Sequence, residues 1–151
     1  QHCAALRAAF HRMGNLRSLD LSGNSEFFGH AEGVSSASAA PEFRICFPRH
    51  LTTLAMTECD LLGEIEISLP LSYALQDLVH MVDLDLSDNC LDEHFPGIAR
   101  AISGMRNLQR LGLSQCSLGP KKVQPMCSLL AALEHLQVLY IDGNKFGRST
   151  K

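Results

Sequence analysis

Asp83, Asp85 and Asp88 stand close together in a chain that also carries seven histidines and six cysteines. Neighbouring carboxylates can work as an acid–base pair, and histidine with cysteine can hold zinc or arm a thiolate. Spacing argues against all three. Cys3, Cys46, Cys59, Cys90, Cys116 and Cys127 include no CxxC pair, and His2, His11, His30 and His94 show no ligand spacing. No GxSxG, HExxH or GxxxxGK[ST] occurs. The run from Gly143 to Ser149 looks like a phosphate loop only superficially, and the three aspartates fall on a periodic surface with no sign of a pocket. The chain therefore reads as no enzyme, with no catalytic residue, cofactor or metal expected.

What orders these residues is a repeat. Segments beginning at Leu16 (LRSLDLSGN), Leu51 (LTTLAMTECDL), Met81 (MVDLDLSDNCL), Leu108 (LQRLGLSQCSL) and Leu136 (LQVLYIDGNKF) share the template LxxLxLxx(N/C)xL, at spacings of 35, 30, 27 and 28 residues. Apolar fourth and sixth positions alternate with polar ones, as on a half-buried strand. Between them the period turns helical: Leu71, Ala74, Leu75 and Leu78; Ile98, Ala101, Ile102 and Met105; Val123, Met126, Cys127, Leu130 and Leu133. Pro70, Pro96 and Pro120 suit helix starts. Cys3, Leu6, Phe10 and Met13 form the stripe of a helix from a preceding repeat, so the chain reads as beginning mid-repeat.

His50, His80 and His135 each precede a first position, where the other repeats have Asn15 and Asn107. Both residue types tolerate left-handed backbone, which predicts a turn role. The ninth position alternates Asn24, Cys59, Asn89, Cys116, Asn144. A buried turn must pair its N–H and C=O groups; asparagine donates and accepts, and a thiol does so weakly while packing as a small hydrophobe. Cys59 and Cys116 are accordingly expected as interior ladder residues. The long first spacing holds an insertion, residues 28–41 (FGHAEGVSSASAAP), read as a surface loop before a short helical stretch with Phe43, Ile45, Cys46 and Phe47.

Composition fits this reading. The chain has 151 residues, 46% hydrophobic and 19% charged, with 6% aromatic and no tryptophan, so its core is aliphatic. That disfavours an immunoglobulin-like sandwich. A net charge of −3 gives no basic field for nucleic acid. No apolar run reaches the roughly 18 residues that cross a bilayer, so no membrane span is expected. Scattered cysteines and the absence of any Asn-x-Ser/Thr point to a reducing, cytoplasmic setting.

These segments resemble the leucine-rich repeat family, and the Asn/Cys alternation is similar to its ribonuclease-inhibitor-like subtype. The resemblance implies an α/β solenoid of about five repeats over residues 1–151, curved, with parallel strands on the concave face and helices on the convex one. It implies a piece of a longer array, since the chain stops after a strand with no closing helix. It also allows the ligand-sensing region of a NOD-like innate-immune receptor, or a Ran-type GTPase activator.

Variable strand positions would form the concave wall. Asp20, Glu58, Asp83, Asp85, Asp88 and Asp142 outnumber Arg17 and Arg110 there, and Tyr140 offers an apolar anchor. This predicts a scaffold or adaptor that binds a protein partner with a basic surface, through Asp20, Glu58, Asp83, Asp85, Asp88, Arg110, Tyr140 and Asp142. Five strands about 4.8 Å apart and five residues about 3.3 Å long give roughly 400 Å². A standard interface takes about 800 Å² from each partner, so the strand-exit loops or further repeats are needed.

Overall fold

The structure, a computed structural model, describes residues 9–10, 12–25, 47–61 and 68–147. Five strands occupy the third to fifth template positions: β1 (Ser18–Asp20), β2 (Thr53–Ala55), β3 (Asp83–Asp85), β4 (Arg110–Gly112) and β5 (Val138–Tyr140). They form one parallel sheet in chain order. The fourth-position leucines pair in register from Leu19 through Leu54, Leu84 and Leu111 to Leu139. Each repeat thus adds one strand beside the last, and the architecture is an α/β repeat fold.

Helices α1 (Ser68–Gln76), α2 (Phe95–Ile102) and α3 (Val123–Ala132) lie between strands, with α2 packed against both others. Pro70, Pro96 and Pro125 fall in first turns, where a missing N–H costs no helical bond. Pro120 opens a 3-10 turn (Pro120–Lys122) that runs into α3 rather than the α-helix itself. One largely aliphatic core joins the two layers: Leu54, Leu84 and Leu111 from the strands, Leu71, Leu75, Ile98, Ile102, Met126 and Leu129 from the helices, with Phe95 as its largest fully buried side chain. The stripe expected on α3 is corrected in phase. Val123 and Cys127 are exposed, whereas Met126, Leu129 and Leu133 are buried. Leu130, half-buried, still packs against the edge of the core.

The turns into the strands are as expected in place but not in conformation. Each is closed by the first-position N–H donating to the carbonyl three residues earlier: Leu16 to Met13 at 3.1 Å, Leu51 to Pro48 at 3.1 Å, Met81 to Leu78 at 3.3 Å, Leu108 to Met105 at 3.0 Å, Leu136 to Leu133 at 3.2 Å. That closure needs no positive φ, and Asn15, His50, His80, Asn107 and His135 have none. His50 and His80, exposed on adjacent turns, stack with ring centroids 6.0 Å apart.

Left-handed backbone appears instead where the chain leaves the strand. The eighth position has φ of +73° at Gly23, +52° at Glu58, +58° at Asp88, +52° at Gln115 and +69° at Gly143. Its N–H still extends the ladder to the next repeat, as from Asp88 to Ser114 O at 2.9 Å and from Gln115 to Asp142 O at 2.8 Å. The reversal then carries the ninth residue into the interior. Among the described residues the tenth position is left-handed only after cysteine, at Asp60 (+45°) and Ser117 (+57°). The 28–41 insertion, Cys3, Leu6, and Phe43 to Cys46 lie outside the described residues; Phe10 and Phe47 are buried, and Met13 is exposed.

Candidate functional site

Period-2 geometry sends the fourth and sixth side chains into the core and leaves the third and fifth on the open strand face. Register then fixes two rows across it: Ser18, Thr53, Asp83, Arg110, Val138 and Asp20, Ala55, Asp85, Gly112, Tyr140. The Arg110 guanidinium reaches Asp83 at 3.5 Å and donates to the Tyr140 hydroxyl at 3.4 Å, linking β3, β4 and β5. Arg110 is about half exposed and Asp83 is 37% exposed, so the pair orders the face more than it stabilises the fold.

Asp85 accepts from the Ser87 N–H at 3.0 Å and leans across Gly112. A Cβ built on Gly112 would clash with the Asp85 carboxylate and oblige it to turn aside, so glycine leaves the room for this orientation. Asp20 makes the same bond to the Ser22 N–H at 2.9 Å. That N–H, and then the Ser22 hydroxyl, hold the Asp20 carboxyl below its ordinary value. Ser114 donates its hydroxyl to Asp142. Glu58 and Asp88 are exposed at the strand exits. The structure therefore gathers Asp83, Asp85, Arg110 and Tyr140 on neighbouring strands, with Asp88, Glu58 and Asp142 along the exit edge. Asp20 stands apart on β1, with Ala55 between it and Asp85 in the row. Residue-type reasoning missed the seventh-position hydroxyls: Ser22 Oγ accepts from the Thr57 N–H and Ser87 Oγ from the Ser114 N–H, each at 3.2 Å. Ser or Thr at that position in four of five repeats was the available signal.

Beneath the face runs the ninth-position ladder. Asn89 Oδ1 accepts from the N–H of Cys59 (3.0 Å) and of Leu61 (3.4 Å), and its Nδ2 donates to the carbonyls of Met56, Leu86 and Ser87. Asn144 repeats the pattern on Cys116, Leu118 and Leu113. The thiols of Cys59 and Cys116 donate to Leu21 O at 3.1 Å and Leu86 O at 3.3 Å. Cys59, Asn89, Cys116 and Asn144 therefore each bond the sixth-position carbonyl of the repeat before, whereas Asn24 bonds Leu21 and Ser22 in its own turn. Alternation has a geometric basis: the two left-handed residues of a cysteine-type exit aim two N–H groups at one oxygen, which the following asparagine supplies.

Burial pushes both thiols up, Cys116 to about 12. They are hydrogen-bond donors at neutral pH and poor nucleophiles. A thiol alkylating agent should accordingly modify exposed Cys90 and Cys127 in the native protein and spare Cys59 and Cys116 until unfolding, as read by peptide mass spectrometry. Because the folded Cys116 value lies above the ordinary 9.0, the native state holds the extra proton between the two values. Its contribution to stability is complete below pH 9 and falls as pH rises towards about 12.

Among the described residues, no group of three or more His, Cys, Asp or Glu could hold a metal ion, and no helix is long and apolar enough to cross a membrane. No protein-family model matches the chain, and no curated protein does. Among solved structures the chain is similar to an internalin from Listeria monocytogenes str. 4b F2365, at 12% identity and a TM-score of 0.34. That match covers 89% of this chain and 44% of the internalin chain, so this chain spans less than half of that one. The fold rests on strand register and the ninth-position ladder.

Proposed function

We propose that this chain is a non-catalytic protein-interaction module, a leucine-rich repeat solenoid of the ribonuclease-inhibitor-like kind, that binds a basic protein partner through its strand face and strand-exit turns. The observation that carries this is the acidic strand face, where Asp83, Arg110 and Tyr140 are already tied together beside Asp85. Tyrosine and arginine are side chains that often dominate interface energetics. The Asn/Cys ladder supports the subtype. It also supports a reducing compartment, since oxidation of Cys59 or Cys116 would remove a buried donor.

Affinity capture from cell extract at low salt, repeated with Asp83→Lys and Asp85→Lys, tests the reading. Retained proteins should carry basic surfaces, elute as salt rises and fail to bind either variant. Retention indifferent to both salt and charge reversal would remove the electrostatic basis of the proposal.

A further inference from the structure

Charge on the strand face is divided along the strand direction. The second and third positions hold Arg17, Arg110 and Asp83, and the last two of these are paired at 3.5 Å. The fifth to eighth positions hold Asp20, Glu58, Asp85, Asp88 and Asp142, with no lysine or arginine in any of the five repeats. At the tenth position exposed Asp60 extends this acidic half in the second repeat, while exposed Lys145 bounds it in the fifth. Glu58 and Asp88 occupy identical positions in neighbouring repeats, and the Glu58 N–H still bonds Ser87 O at 3.3 Å. The face is therefore a sheet with an acidic exit half, a near-neutral entry half and exposed Tyr140 at one end.

Parallel strands stand about 4.8 Å apart. A partner segment lying across them meets a new exit at each such step. An α-helix returns the same face every 5.4 Å, close to that step over two or three repeats. An extended strand returns the same face only every 6.6 Å or so and falls out of step after one.

We propose that the exit half docks a basic helix of the partner, laid across the strands with Lys or Arg one turn apart over Glu58 and Asp88 and beside Asp85. This rests on the reading above and specifies the partner segment. The eighth position supplies well-behaved test variants. Gly23 and Gly143 already occupy it with positive φ, so Glu58→Gly and Asp88→Gly keep a conformation glycine adopts freely.

Two synthetic peptides of equal charge serve as probes for titration calorimetry at low salt. One is an alanine-based helix with Arg at i, i+4 and i+7; the other is a β-branched peptide with Arg at every second residue. The helical peptide should bind more tightly. Glu58→Gly and Asp88→Gly should each weaken it about 2- to 5-fold, the range of exposed ion pairs, with unfolding midpoints unchanged or raised. Asp20→Asn, on the far strand, should alter it less. Equal affinity for the two peptides, or no loss in the glycine variants, overturns the helix proposal while leaving the basic partner standing. Binding of neither peptide overturns both.

Discussion

Leu111→Ala should lower the unfolding free energy by about 2 to 5 kcal/mol, the range for deleting a buried leucine and leaving a cavity. Leu111 is fully buried at the centre of β4, with Leu84 and Leu139 in register on either side. Its neighbours belong to a row of identical leucines and cannot all shift to fill the gap. Urea unfolding followed by circular dichroism measures the loss. A change near zero would mean that the fourth position faces solvent and that the template phase is wrong by one residue, since one step moves every side chain to the other face.

Asn89→Ala should cost about 2 to 4 kcal/mol although it removes only a polar group. Asn89 is 2% exposed and bonds five backbone groups in two repeats. Alanine leaves the Cys59 and Leu61 N–H groups and the Met56 carbonyl without that partner, and each unsatisfied buried group costs about 1 to 3 kcal/mol before relaxation. The same change at Asn24 removes two local bonds at an exposed site, to the carbonyls of Leu21 and Ser22, and should cost under about 1 kcal/mol. The difference between identical substitutions at one template position isolates the bonds between repeats. Equal losses would assign the asparagine to its own turn alone.

Strands were legible because leucine at the fourth position and Leu, Met or Ile at the sixth leave a period-2 trace that survives in all five segments. The ladder was legible because a buried turn demands a side chain that both donates and accepts, and the ninth position offers only Asn and Cys. The left-handed eighth position was not, since Gly, Glu, Asp, Gln and Gly share no residue type there. What forces it is tertiary: the chain must leave the sheet while its N–H still pairs with the next strand. For His50, His80 and His135 the residue preference pointed to the wrong backbone region, because a turn closed over three residues already fits ordinary φ. On α3 the helical period was legible and its phase was not, since Leu129 rather than Val123 and Cys127 faces the core. The Asp83–Arg110 pair follows from register, as both stand at the third position of adjacent repeats.

Amide hydrogen exchange of the wild type and Asn89→Ala tests most directly whether ninth-position side chains stitch the repeats together. In the wild type the N–H groups of Cys59, Leu61, Cys116 and Leu118 should all be strongly protected, because each bonds an asparagine oxygen of the next repeat. In Asn89→Ala, Cys59 and Leu61 should lose that protection selectively while Cys116 and Leu118, held by Asn144, keep theirs. Protection at Cys59 and Leu61 that survives the substitution unchanged would contradict the ladder.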